Sequence, residues 1–276
     1  MDAVLVGKEH LFIMKRIQLF ELEDYPWFPH WLRACLTRLM VVMHNLLATP
    51  TDIAALLTRA LRHTGQHTIV DLCSGGGGPM REVFRVLQAQ PGGEQLRLTL
   101  TDLYPNREVA AEVNSGPNPA LTYRLMPVNA LQVPVELAGV RTLVGSFHHL
   151  NPTTARSILQ HARDSRQAIC IYEMSDNSLP TALWWVSLPM IFLMVFFLTP
   201  FARPLTWKQL VFTYLLPVIP LCFAWDGAVS NARTYTLADM DQLLAGLETE
   251  DYHWERGILA GKAKKLYLLG LPQQRR

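Results

Sequence analysis

The chain has 276 residues, half of them hydrophobic and only 17% charged, with a formal net charge of +2. This is a core-rich chain, either one large domain or a domain with an elaborated insertion, and its positive mean hydropathy leaves contact with a membrane open. The balanced charge excludes the strong basic field of a nucleic-acid binder; the scattered Cys35, Cys73, Cys170 and Cys222 show no CxxC or metal spacing and read as reduced thiols of a cytosolic compartment.

The N-terminal stretch carries Lys8, Glu9, Lys15 and Arg16 between apolar pieces too short for a signal peptide. Leu32, Leu36, Leu39, Met43 and Leu46 then recur at helical spacing, with Arg33, Thr37 and Arg38 off that stripe. Thr49 and Pro50 break this helix, and residues 51–63 read as a second one. Residues 67–72 form a short apolar strand, followed by four consecutive glycines, Gly75 to Gly78, and a helix over 79–90 stopped by Pro91, Gly92 and Gly93. Strand patterns follow at 96–103, within 121–130, at 140–147 and at 167–175, with helices at 106–114 and 152–164. Strands alternating with helices imply a parallel sheet covered on both faces. A helix at 239–247 and two strands over 251–272, joined by a tight turn at 260–264, close the chain.

The glycine run lies between the first strand and its crossover helix. Glycines there let the main chain approach a ligand and expose N–H groups at a helix start. A flexible linker does not sit tightly between a strand and its helix, so this is a binding loop at the carboxyl edge of the sheet.

The segment IVDLCSGGGG resembles motif I of class I S-adenosylmethionine-dependent methyltransferases, acidic-x-G-x-G-x-G: Asp71 matches the acid, Gly75 and Gly77 the later glycines, and Cys73 stands where the first glycine belongs. A dinucleotide-binding turn would need G-x-G-x-x-G and an acid at the end of the second strand alone, and Met80 stands where its last glycine should be. The resemblance covers residues 65–180 and 226–272 by order of elements. It implies a doubly wound, mostly parallel seven-stranded sheet of the Rossmann-like methyltransferase kind, with S-adenosylmethionine as cofactor. It places the cofactor at Asp71, Cys73, Ser74, Gly75, Gly76 and Gly77, at Asp102 and Leu103 after the second strand, at Asn129 and Ala130 after the third, and at Ser146 after the fourth. Asp102 would take both ribose hydroxyls, its alternative being a helix cap; Asn129 would accept from the adenine amino group, its alternative being a plain turn residue. SFHHL resembles motif IV, beside the transferred methyl, and puts Phe147 against the substrate and His148 and His149 at the reacting centre. Adjacent residues of a strand point to opposite faces, so only one histidine should face the acceptor. A histidine there serves as general base, or else caps or packs in the core; Glu173 orients the substrate or is a solvated loop carboxylate. RIQLFELEDYPWFP, SFHHL and DGAVSNARTY together resemble a bacterial branch of these enzymes.

One segment is foreign to a plain methyltransferase. Residues 177–202 contain an almost unbroken apolar run without charge after Asp176, and residues 209–225 form a second. Each approaches the ~20 residues that span a bilayer core. Arg203 and Lys208 in the connecting loop and Pro189, Pro200, Pro217 and Pro220 within the runs oppose a simple two-span hairpin. A spanning hairpin, a shallow membrane-seated hairpin and a buried lid remain open, with Trp184, Trp185, Trp207 and Trp225 near the run ends as interfacial anchors or core. The organisation expected is an N-terminal helical lid over 1–64, a methyltransferase core over 65–180 and 226–276, and an apolar insertion over 181–225. Asp226, Arg233 and Tyr235 would line the returned mouth of the pocket, or serve as cap and surface pairing. The function expected is methyl transfer to a small, apolar or lipid-like acceptor by a membrane-associated protein with a cytoplasmic catalytic domain and no metal. The alternatives are a catalytically silent, membrane-tethered cofactor-binding protein and a nucleotide-dependent oxidoreductase.

Overall fold

The chain's alternation of short β-branched runs with amphipathic ones is realised throughout the computed structural model, which describes residues 14–178, 180 and 182–273. Two helices come first, α1 (His30–Leu46) and α2 (Thr49–Thr64). Ala48 turns the chain between them in a left-handed conformation, and Pro50 lies in the first turn of α2, where its missing N–H costs nothing. The proline that breaks the first helical pattern therefore opens the second helix. There follow β1 (Thr68–Asp71), α3 (Met80–Gln88), β2 (Arg97–Leu100), α4 (Arg107–Asn114), β3 (Leu121–Tyr123), β4 (Val140–Val144), α5 (Pro152–Asp164) and β5 (Ile169–Glu173). The rest of the chain forms α6 (Ala182–Leu198), α7 (Trp207–Leu210), α8 (Val218–Arg233), α9 (Leu237–Leu244), β6 (Tyr252–Leu259) and β7 (Lys265–Pro272).

The seven strands form one sheet in the order β3-β2-β1-β4-β5-β7-β6. β1 to β5 pair in parallel, while β7 runs antiparallel to both β5 and β6. The expected doubly wound, mostly parallel sheet with a closing antiparallel pair is what forms. All five residues of β5 are buried, as a strand covered on both faces requires. One face packs Ile69 and Leu98 against Ile53, Leu57, Val83 and Phe84 of α2 and α3. The other packs Val70 and Leu143 against Ile158, Leu159 and Leu243 of α5 and α9. The strand order reverses between β1 and β4, so a ligand crevice opens beyond their carboxyl ends.

The two apolar runs fold as short, mutually packed helices. α6 and α8 pack on each other and on α1, with Val195, Ile219 and Phe223 meeting Phe28, Leu36 and Leu39. The second run is broken: α7 continues into a wide turn over Val211–Leu215, Pro217 interrupts it, and α8 leaves at 84°. Among the described residues no single helix is long and apolar enough to cross a membrane, and the bent pairs of sufficient length and composition include Trp207–Leu215 with Val218–Arg233. α8 also runs through position 225, the expected return to the core, and ends at Arg233. Trp225 donates to the Phe20 carbonyl at 3.0 Å and Trp207 is exposed, while the side chains of Trp184 and Trp185 lie outside the described set. Val186, Met190, Leu193 and Phe197, at helical spacing along α6, leave an apolar stripe in solvent.

Candidate functional site

β1 ends in a carboxylate folded inward. Asp71 is 3% exposed and accepts from Ser74 Oγ and from Thr142 Oγ1, each at 2.5 Å. Burial pushes its carboxyl up to about 7 against these two hydrogen bonds, which favour the charged form. The Thr101 N–H and hydroxyl both donate to the Asp71 carbonyl at 2.8 Å, and Ser74 N–H donates to the Thr101 carbonyl at 2.9 Å. Asp71 thus organises the start of the loop from within.

The loop then turns repeatedly. Cys73 has φ 57°, a left-handed conformation that explains why the motif prefers glycine at this position. Gly75, Gly77 and Gly78 also have positive φ, whereas at Gly76 the pressure is one of space: a Cβ there would lie 3.2 Å from Cγ2 of Thr37, tighter than ordinary contact. The off-stripe Thr37 of α1 is therefore packed on the glycine loop, a neighbour that helical spacing alone does not reveal.

Asp102 closes the loop against β2. Its Oδ2 accepts from the Gly75 N–H and its Oδ1 from the Tyr104 N–H, both at 2.8 Å. The cap of α4 is Asn106, so Asp102 is not spent on that helix. Tyr123 at the end of β3 donates its hydroxyl to the Gly75 carbonyl at 2.9 Å, and the Val128 N–H donates to the Asp102 carbonyl at 2.8 Å. Leu103 is exposed beside Asp102. Asn129 accepts from the Leu131 N–H at 2.9 Å, a local turn contact, with Ala130 nearly buried beside it. Asp71, Cys73 to Gly77, Asp102, Asn129 and Ala130 thus come together around the ends of β1, β2 and β3.

The ends of β4 and β5 carry the second group. The hydroxyl of Ser146 is buried and has no hydrogen-bond partner among the described residues. Phe147 to His149 form a single tight helical turn rather than more strand. Their side chains therefore do not alternate, and the two imidazoles lie together with ring centroids 4.2 Å apart. This corrects the expectation of opposite faces, which held only while strand geometry persisted. Glu173 is 2% exposed and clamps His148, accepting from its N–H at 3.1 Å and pairing with its Nδ1 at 2.8 Å. The solvated-carboxylate alternative for Glu173 is excluded by that burial.

A strap of residues 14–25, whose contacts no spacing along the sequence reveals, crosses this group. Arg16 donates to the His148 carbonyl at 2.7 Å and lies over the Tyr235 ring. Glu21 is fully buried and accepts from Arg233 at 3.1 Å; Asp24 accepts from Arg233 at 2.6 Å and pairs with His149 Nδ1 at 2.9 Å. Burial raises the Glu21 carboxyl to about 7. Burial also acts upward on Asp24, but the His149 hydrogen bond and Arg233 hold it well below the usual carboxylate range. Asp226 accepts from the Leu22 and Glu23 N–H groups at 2.7 and 3.3 Å. Tyr235 is fully buried and donates to the Leu150 carbonyl at 2.7 Å, and Phe147 is equally buried against its ring. Asp226, Arg233, Tyr235 and Phe147, expected at the substrate, are occupied in fastening the strap and the 147–149 turn. The weak signal for Glu21 and Asp24 is the acidic ELED interruption of an apolar segment.

No family model and no curated protein sequence matches the chain. Among solved structures it is similar to the plantazolicin methyltransferase BpumL in complex with SAH, at a TM-score of 0.51 and 10% identity over 92% of this chain and 99% of that one. It is also similar to human N-acetylserotonin methyltransferase in complex with SAM, at a TM-score of 0.47 and 12% identity, covering 86% of this chain and 56% of that one. An O-methyltransferase family protein from Burkholderia thailandensis gives 0.47 and 14%, with 84% and 58% covered. The chain spans little more than half the length of these last two. The first likeness, taken with the strand order, establishes a Rossmann-like methyltransferase fold.

Proposed function

We propose that this protein is an S-adenosylmethionine-dependent methyltransferase acting on a small-molecule acceptor. The observation that carries this reading is the glycine loop, locked from below by Asp71 and from the side by Asp102, at the switch point of the sheet. The residues present fit the cofactor. Asp102 uses two of the roughly four lone-pair sites of a carboxylate, which leaves two for the ribose hydroxyls. Leu103 offers an apolar face beside it for adenine, and the unpartnered Ser146 hydroxyl lies at the end of the neighbouring β4. When bound, the cofactor supplies a sulfonium methyl that is already electrophilic. The chain's task is to align an acceptor with it and exclude water. The acceptor's proton falls to the imidazole pair at the end of β4, oriented by Glu173 and Asp24.

The acceptor that this reading favours is apolar. The stripe of Val186, Met190, Leu193 and Phe197, with the exposed Phe201, Trp207 and Leu215, exceeds what scattered surface apolar residues account for. Lys208 lies 5.4 Å from the centre of the Trp31 ring and 5.8 Å from that of Trp207, a basic and aromatic rim suited to a headgroup layer. This supports shallow seating of the insertion on a lipid surface and delivery of a lipid-like acceptor.

Calorimetry tests the cofactor reading: S-adenosylhomocysteine should bind one per chain and raise the melting temperature, whereas nicotinamide dinucleotides should do neither. Dinucleotide binding without S-adenosylhomocysteine binding refutes it. Methyl transfer from labelled S-adenosylmethionine into lipid extracts separates an enzyme from a silent binding protein. Flotation with vesicles, compared between the intact chain and Phe197→Asp, tests the seating, and equal recovery of both refutes it.

A further inference from the structure

His148 and His149 present their ring nitrogens in the same manner. Each Nδ1 faces a carboxylate, Glu173 at 2.8 Å and Asp24 at 2.9 Å. A carboxylate only accepts, so Nδ1 carries the hydrogen in both rings and the lone pair of each neutral imidazole lies at Nε2. Both Nε2 atoms approach Glu21, His148 at 3.7 Å from Oε1 and His149 at 3.7 Å from Oε2. His148 Nε2 and Glu21 Oε2 are buried and have no hydrogen-bond partner among the described residues. Three electron-rich groups thus converge, with one ligand atom from each residue within 4.8 Å of the others.

A proton does not resolve this convergence, because 3.7 Å is too long for an N–H···O bond and one proton serves only one of the two contacts. A metal ion serves all three. Bonds of ~2.1 Å in a tetrahedral site put ligand atoms ~3.4 Å apart, so the two 3.7 Å separations shorten by about 0.3 Å and any wider one, at most 4.8 Å, by no more than about 1.4 Å. Glu173 and Asp24 occupy the outer positions that fix metal-bound histidines. The local charge favours a cation: Glu21, Asp24 and Glu173 outnumber the buried Arg233 and the half-buried Arg16. Access comes from the side of His149, whose side chain is 29% exposed.

We propose that Glu21, His148 and His149 bind one divalent transition-metal ion of the zinc class, with Glu173 and Asp24 holding the histidines and a fourth position open toward solvent. Two imidazoles and one carboxylate with an open position are the donor set of catalytic rather than structural ions. Binding of the ion does not depend on the methyl-transfer reading. Where that reading holds, the ion would hold an acceptor hydroxyl oxygen at its open position and lower its pKa, so that the hydroxyl would give its proton to solvent water, and the two imidazoles, with their Nε2 lone pairs on the ion, would serve as ligands in place of the base role.

The test uses the full chain, stripped with chelator, dialysed and titrated with Zn²⁺ by calorimetry and with Co²⁺ by visible absorption. One ion per chain is expected, with Co²⁺ bands of a low-coordinate N/O site. His149→Gln, at a part-exposed position, should lose at least about tenfold in affinity, and Asp24→Asn about 10- to 100-fold. His253→Gln, on β6 and paired with Glu248, should bind as the wild type does. Melting curves without metal confirm that the variants fold, and the two independent variants keep the test decisive if one does not. Absence of stoichiometric binding, or equal affinity in wild type, His149→Gln and Asp24→Asn, overturns the proposal. Loss of S-adenosylhomocysteine binding with Zn²⁺ binding intact would instead bear on the methyl-transfer reading alone.

Discussion

Replacing Asp102 by alanine should weaken S-adenosylhomocysteine binding on the order of a hundredfold while leaving the fold nearly as stable. The carboxylate is tied down by the Gly75 and Tyr104 N–H groups at 2.8 Å, so it is held in place before any ligand arrives. Two lone-pair sites remain for two ribose hydroxyls. Hydrogen bonds to a charged group contribute about 1.5–3 kcal/mol each, so two are worth about 3 kcal/mol at the low end. That energy corresponds to on the order of a hundredfold in affinity. The cost to folding is smaller, about 1 kcal/mol or less, because Asp102 is part-exposed and water replaces it at both N–H groups. Asp102→Asn keeps one acceptor oxygen and should fall between wild type and Asp102→Ala. Calorimetric titration of the three proteins, with urea unfolding as the control for stability, makes the measurement. An affinity for Asp102→Ala within about threefold of wild type is less than one hydrogen bond's worth and would refute the assignment.

Asp71→Asn should flatten the pH dependence of stability. A carboxyl whose folded value is raised from 3.8 to about 7 holds its proton in the native state after the unfolded chain has lost it, so its contribution is full below the lower value and is lost as pH rises to the upper. Urea unfolding across that window should show a smaller fall for the variant, with the residual slope coming chiefly from Asp226, raised by burial to about 6, Glu21, raised to about 7, and Glu23, raised to about 8. Cys73→Gly should be neutral or stabilising by up to about 1 kcal/mol, because relief of the left-handed strain offsets the added entropy of the unfolded chain, whereas Cys73→Val should cost about 1–3 kcal/mol; denaturant midpoints decide. Gly76→Ala should cost about 1 kcal/mol through the 3.2 Å approach to Thr37 Cγ2, and Thr37→Ser, which removes that methyl but keeps the hydroxyl bond to the Arg33 carbonyl, should recover most of it in a double-mutant cycle.

The sequence by itself determined the parallel sheet, the glycine loop at its carboxyl edge and the closing antiparallel pair, because all three rest on local signals. Short apolar runs bounded by turn residues make the strands, Asp71 ends the first of them with the glycines after it, and a short turn joins the last two. It also determined which residues gather at the strand ends, since a doubly wound sheet brings every such end to one edge. What those side chains do there was decided by tertiary structure. Asn129 and Phe147 lie where the pattern puts them, yet one is bonded within its own turn and the other is sunk in the core. The histidine pair left strand geometry one turn too early for alternation to apply, and its partners Glu21 and Asp24 come from the far end of the chain. In the insertion, hydropathy registers how apolar the two runs are, but the bend at Pro217 and the packing on α1 set which faces are buried and which meet solvent. Short-range periodicity encodes elements and their ends; which charge meets which, and whether a polar group is satisfied or left open, depends on contacts between segments that no spacing along the chain records.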